Sequence, residues 1–294
     1  MPELPDIAVY REALDARLRG QVLDEVRIVN PFVLRTAVPP ITEAAGKRVV
    51  GVRRLGKRIV FALEDDLFLI LHLMIAGRLR WLARIAKPPA RITLATLEFD
   101  NGKLVFIEAG TKRRASLHLV RGEVALAAFD MGGLDVLEAN VATFAARLRR
   151  ENHTLKRALT DPRLFSGIGN AYSDEILHRA KVSPLTLTSK LDDGEVARLH
   201  DATRAVLTEW TDRLRAQAAG EFPERVTAFH PEMAVHGKFG QPCPVCGAPV
   251  QRIVYAENEC NYCARCQNGG VILADRALSR LLHKSWPRSI DELG

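Results

Sequence analysis

"PCPVCGAPVQRIVYAENECNYCARCQ", residues 242–267, holds all five cysteines of the 294-residue chain. "CPVCG" (243–247) and "CARC" (263–266) are Cys-x-x-Cys turns separated by sixteen residues. Four thiolates brought to one point suit the tetrahedral preference of zinc, and this spacing is that of a four-cysteine zinc ribbon with each turn at the tip of a hairpin. Cys243, Cys246, Cys263 and Cys266 are therefore the expected ligands of one structural Zn2+. "CNYC" (260–263) is a competing pair, but that register shortens the loop to thirteen residues and leaves Cys266 idle. Cysteines clustered at one end of a chain point to metal in a reducing compartment, not to a disulfide framework.

Outward from this module the pattern changes twice. Upstream, "GEFPERVTAFHPEMAVHGKFGQP" (220–242) reads as loop. Before it, helical periods occupy "LEANVATFAARLRRE" (137–151), "TLKRALTD" (154–161), "NAYSDEILHRAK" (170–181) and "GEVARLHDATRAVLTEWTDRLRAQ" (194–217). Residues 21–125 instead carry seven short strand patterns: "VLDEVRIV", "RVVGVRRL", "RIVFALE", "LFLILHLMI", "LATLEFD", "KLVFIEA" and "ASLHLV". Turn signals such as "EDD" and "DNG" separate them, which predicts a sandwich or barrel. A leading helix is expected over 6–18, where Ile7, Tyr10, Leu14 and Leu18 share a face. Downstream, Leu273, Ala277, Leu281 and Lys284 predict a docked tail helix. The expected fold is a multidomain α+β chain. Residues 1–130 form a β-sandwich, 131–232 a helical domain, 233–267 a zinc finger and 268–294 an extension.

Net charge is +7 with a pI near 9.3, which favours an anionic partner. The longest apolar run, "LFLILHLMIAG" (67–77), is too short to span a bilayer and contains His72, so no membrane segment is expected. "GKRVVGVRRLGKR" (46–58) has six basic residues and no acid, and Lys57 follows Gly56 at a strand start. "TKRRASLHLVRG" (111–122) is a second basic cluster, read as a loop. Both suit a phosphate backbone. "SGIGNAYSDEIL" (166–177) is a glycine turn feeding a helix, with Asn170 at the expected N-cap. A helix N-terminus offers unpaired N–H groups to phosphate.

The chain begins "MPELPDI". Loss of the methionine leaves Pro2 with a secondary α-amine. With a pKa of about 8, roughly a tenth of such an amine is free at pH 7, against about one in 2,500 for an ordinary lysine. It condenses with an aldehyde to an iminium that is cationic without a further proton, an electron sink for β-elimination. Glu3 is placed for acid–base work.

With "PELPDI", "RRLGKR", "SGIGNAYSDEIL" and "AVHGKFGQPCPVCGAPV…YCARCQ" in that order, the chain resembles the formamidopyrimidine-DNA glycosylase / endonuclease VIII family of base-excision repair enzymes. The resemblance runs from residue 2 to about 267. It implies a bifunctional glycosylase and abasic-site lyase that flips a damaged nucleotide out of DNA. Pro2 would attack C1′, Glu3 would assist base departure, and β-elimination, often followed by δ-elimination, would nick the strand. Lys57 falls at the lysine of the family's basic turn and joins Pro2 and Glu3 as an expected catalytic residue, Asn170 falls at the family's phosphate-binding asparagine, and zinc is structural. Such an enzyme would act as a cytoplasmic, nucleoid-associated monomer on damaged DNA.

Three stretches depart from the family pattern. In "HLMIAG" (72–77), Ile75 stands where a methionine fills the gap left by the flipped base, and Met74 replaces a glycine. In "GTKRRAS" (110–116), Arg114 takes the place of an aromatic wedge, while Lys112 and Arg113 keep charge. Asn258 replaces the finger's arginine, between Glu257 and Glu259. These changes direct expectation towards substrates that flip easily. They also raise the alternative of a damaged- or branched-DNA-binding protein with weakened chemistry.

Overall fold

The shared face of Ile7, Tyr10, Leu14 and Leu18 is fully buried along α1 (Leu4–Leu18) in the computed structural model. The model describes residues 1–110, 112–224, 226–227, 229–255, 258–274, 280–281 and 287–292. The helix starts two residues earlier than its periodicity suggests. Pro5 falls in the first turn, where a missing N–H costs nothing. Glu3 is the N-cap and forms a reciprocal capping box with Asp6, Glu3 N donating to Asp6 Oδ2 at 2.8 Å.

Eight antiparallel strands follow: β1 (Val22–Ile28), β2 (Lys47–Leu55), β3 (Arg58–Leu63), β4 (Leu67–His72), β5 (Gly77–Leu82), β6 (Thr93–Phe99), β7 (Gly102–Glu108) and β8 (Ser116–Arg121). Their order is β5-β7-β6-β1-β2-β3-β4-β8. β1 and β2 meet only at Val22↔Arg48 and Leu23↔Lys47, so the ladder divides there into two four-stranded halves. Phe61 and Leu69 from one half and Leu97 and Phe106 from the other join Tyr10 and Leu14 in one core. The opposite face of β3 and β4 is buried too, with Val60, Ala62, Phe68 and Ile70 packed under Leu126 of α2 (Glu123–Ala127). Burial on both faces explains why "RIVFAL" and "LFLILH" are continuously apolar.

Strand β5 is absent from the seven expected strands. The run read as one strand over 67–75 stops at His72, because Leu73–Ala76 turn: Met74 takes φ 51 and Gly77 N donates to Leu73 O at 2.8 Å. The alternation of "GRLRWL" then carries β5.

The chain divides into two compact units, Met1–Met131 with Trp210–Ala228, and Gly132–Glu209 with Phe229–Gly294. In the second unit lie α3 (Val141–Leu148), α4 (Leu155–Thr160), α5 (Asn170–Ala180) and most of α6 (Asp193–Ala218). There too are the hairpin β9 (Gln251–Tyr255) and β10 (Asn258–Tyr262) and the short α7 (Ala264–Asn268). Phe144 and Phe165 pack at 4.8 Å inside it. The last turns of α6 belong to the first unit, and Phe222 and Val226 beyond them join its core. Of the expected tail helix, Ala277 and Lys284 lie outside the described residues, as does Glu257 of the finger. No helix among the described residues is long and apolar enough to cross a membrane.

Candidate active site

Pro2 and Glu3 are drawn into the fold by α1. Pro2 is buried, and Glu3 and Asp6 are 2% and 1% exposed. The terminal amine here is that of Met1, one residue ahead of the amine that Pro2 would present. Burial lowers its proton affinity below the usual value; the charges of Arg78 and Lys57 act in the same direction, and Glu3 and Asp6 oppose them. Burial also raises Asp6 to about 7, although its bond from Glu3 N works the other way. Asp6 Oδ1 has no hydrogen-bond partner among the described residues.

Lys57 sits in the two-residue turn joining β2 to β3, whose flanking pair is Leu55↔Arg58. Gly56 supplies the positive φ of 60° that this turn needs. A short, well-paired hairpin therefore carries Lys57 where its charge bears on the N-terminal amine. His72, at the end of β4, is held down to about 4 by burial and by Arg58 and Lys57, so it is neutral at pH 7.

The first unit also presents two of the three stretches that depart from the family pattern. Ile75 is 55% exposed at the tip of the turn before β5, with Arg78 Nη1 donating to its carbonyl at 3.1 Å. Met74 occupies the left-handed region that the family's glycine would take without penalty. Lys112, Arg113 and Arg114 are exposed on the loop between β7 and β8. That loop is tied down through the buried Glu108, whose carboxylate accepts from Arg114 N and Ala115 N, each at 3.1 Å. The Arg113 guanidinium donates to Arg91 O at 2.7 Å.

In the second unit, Asn170 is not the N-cap. Gly169 holds that place in extended conformation, and Asn170 begins α5. Its side chain is used elsewhere: Nδ2 donates to Glu259 O in β10 at 2.8 Å. Beneath it, buried Lys156 donates to Asn170 O at 2.7 Å, Ser173 Oγ at 2.8 Å and Asp174 Oδ1 at 2.6 Å. Asp174 Oδ2 accepts from Asn261 N and pairs with His236 Nδ1 at 2.8 Å. Sequence reading missed Lys156, Asp174 and His236, because three residues up to eighty positions apart leave no local pattern. Asn258 is exposed at the start of β10, paired with Tyr255.

The sulfurs of Cys243, Cys246, Cys263 and Cys266 all lie within 4.8 Å of one another. The pairs Cys243–Cys266 and Cys246–Cys263 are 3.9 and 3.4 Å apart. A tetrahedron with metal–sulfur bonds of ~2.3 Å has edges of about 3.8 Å, so the set fits a structural zinc ion. Cys260 is not in the cluster; it points into the buried side of β10 near Asp174 and Tyr255, where burial pushes its thiol up. One detail differs from expectation: the second Cys-x-x-Cys lies at a strand-to-helix turn entering α7, not at a hairpin tip. His178 Nε2, 3.3 Å from Cys243 Sγ, braces the cluster from α5.

The first unit thus holds a chain start drawn into the fold with a basic turn nearby, and the second holds a helix start bonded to a finger strand and a four-sulfur site, features that point to an enzyme acting on DNA. Residues 1–116 match the formamidopyrimidine-DNA glycosylase N-terminal domain, 134–215 its H2TH domain, and 240–269 the zinc finger found in FPG and IleRS. A formamidopyrimidine-DNA glycosylase of Thermus thermophilus is 34% identical over 281 residues, covering 92% of this chain and all of that protein. One from Lactococcus lactis subsp. cremoris is 28% identical, covering 91% and 99%. A crystal structure of Lactococcus lactis Fpg with abasic-site DNA superposes with a TM-score of 0.80 at 27% identity, covering 90% of this chain and 99% of that one. A complex of the same enzyme with DNA containing an oxidised pyrimidine gives 0.81 at 28%, covering 91% and 100%. The chain belongs to the formamidopyrimidine-DNA glycosylase family, and is a base-excision DNA glycosylase and abasic-site lyase.

Proposed function

We propose that Pro2, freed by loss of Met1, is the nucleophile with which this glycosylase opens a damaged nucleotide. Its nitrogen lone pair forms a bond to C1′ as the bond from C1′ to the base breaks. Glu3 supplies the proton that accompanies base departure. Loss of the remaining N–H proton and ring opening give an iminium at C1′. Removal of a proton from C2′ then expels the 3′ phosphate by β-elimination, and a second elimination can expel the 5′ phosphate. Hydrolysis of the iminium returns the amine.

The observation that carries this reading is the burial of Pro2 beside the buried carboxyl group of Glu3 at the head of α1, at the end of the chain where burial already lowers the proton affinity of the half-buried Met1 amine. Lys57 and Asn170 would hold phosphates flanking the flipped nucleotide. Lys112, Arg113 and Arg114 would follow the backbone, Ile75 would enter the gap left in the stack, and Asn258 would meet the backbone from the finger. Zinc, bound by Cys243, Cys246, Cys263 and Cys266, would hold the finger's shape and take no part in bond breaking. The protein would act as a cytoplasmic, nucleoid-associated monomer.

Borohydride reduction on abasic-site DNA tests the assignment. A covalent adduct is expected, with peptide mapping placing it at residue 2, and a tag that blocks the N-terminus should abolish it. An undiminished adduct on the blocked protein would falsify the role of Pro2. DNA affinity without any adduct would instead favour a damage-binding protein of the same fold.

A further inference from the structure

Phe229 is 67% exposed, yet its ring is held. It stacks on His236 with centroids 5.5 Å apart and planes 20° from parallel. His236 is itself 4% exposed, and its Nδ1 is fixed on Asp174 Oδ2. Gly237, at φ 70, lies against the same ring; a Cβ there would come within 3.1 Å of Phe229 Cδ1. The inner surface of Phe229 thus rests on a rigid imidazole and a bare backbone, while much of the ring faces solvent.

This support is continuous with the elements proposed above to grip the backbone. Asp174 joins His236 to Lys156, and Lys156 holds Asn170 O. Asp174 also accepts from Asn261 N in β10, the strand that receives the Asn170 side chain at Glu259 O. A flat, apolar surface on such a mount suits a flat, apolar ligand face. Every nucleobase has one, and base–aromatic stacking tolerates any sequence.

We propose that Phe229 is a stacking platform for a nucleobase that has left the helical stack, in single-stranded or locally opened DNA. This rests on the DNA-repair reading above. It gives the enzyme an aromatic contact in the second unit, whereas the first unit's loop carries Arg114 in place of the family's wedge.

The test uses the full chain and a single-stranded oligonucleotide with a tetrahydrofuran abasic analogue and 2-aminopurine walked through the flanking positions. Wild-type protein should quench the fluorophore strongly at one position. Phe229→Ala should lose that quenching and bind about tenfold more weakly. Phe229→Trp should restore both. Phe229→Leu keeps apolar bulk on His236 without a π face, and should behave like Phe229→Ala while retaining its zinc. Wild-type quenching and affinity in both the Ala and Leu variants would overturn the proposal. So would equal losses in the Trp variant, which would mark Phe229 as structural. Borohydride trapping of the wild type on duplex abasic DNA is run alongside; its absence would count against the enzymatic reading, not against the platform.

Discussion

The side-chain amide of Asn170 and the main-chain carbonyl of Glu259 are joined by a 2.8 Å hydrogen bond, which makes the start of α5 and the finger strand β10 one bonded piece. Replacing Asn170 by Ala removes that bond together with any phosphate contact of the amide. DNA affinity should fall about three- to tenfold, the range for a neutral hydrogen bond or two. The amide carries no charge, so the slope of affinity against salt should stay the same. Lys57→Ala should behave differently, flattening the slope by about 0.9 through the loss of one released counterion. Filter binding between 50 and 200 mM salt separates the two. A flattened slope for Asn170→Ala would show that its loss disturbs a nearby cation.

Glu3→Gln should separate the two chemical steps. Excision of a damaged base should slow by at least ~100-fold, the usual scale of general acid–base assistance. Cleavage at a preformed abasic site should slow far less, because no base remains to depart. Single-turnover rates on the two substrates check this, and equal losses would remove Glu3 from base departure.

Asp6 makes stability depend on pH. Its folded value is raised by burial to about 7, from 3.8 when exposed. The folded chain therefore holds this proton more tightly than the unfolded one between those values. Stability from this group is complete below about pH 4 and is lost as pH rises to about 7. Asp6→Asn abolishes the titration, so its melting temperature relative to wild type should climb between pH 4.5 and 7.5 and then level off. A constant difference across that range would place the Asp6 proton affinity near its exposed value.

Zinc content should discriminate the cysteines. Cys260→Ser should retain one zinc per chain, since its thiol lies outside the sulfur cluster. Cys263→Ser should lose it, and chelation of the wild type should abolish DNA binding before it unfolds the β-sandwich, whose core holds no cysteine. Metal loss from Cys260→Ser alone would reverse the assigned register.

The cysteine spacing and the α1 stripe were legible because each depends on residues close in sequence. β5 was not, since Leu73, Met74 and Ile75 are as apolar as the strand before them, and only the positive φ of Met74 reveals the turn. Asn170 was misplaced by one position as the N-cap, a place Gly169 holds, and its bond to the Glu259 carbonyl has no side-chain signature. Sequence also gave no hint that His178 braces Cys243. The network around Asp174 stayed hidden for the same reason: a buried carboxylate in "AYSDEIL" is indistinguishable by pattern from a solvated one.

The segment Trp210–Ala228 belongs with the first 131 residues, and Phe222 lies 5.7 Å from Tyr10 on α1. On the ribosome, this has a consequence for timing. When the last strand of the sheet emerges, the layer over α1 is still unmade, and about a hundred residues, the whole of Gly132–Glu209 among them, must be synthesised before Phe222 and Val226 arrive. The nascent N-terminal piece therefore waits with an open apolar seam while the helical unit and its loops are being translated. A chain released early, at residue 131, should be a chaperone client and not a free-standing domain; adding 210–228 back in trans, or through a short linker, should close the seam.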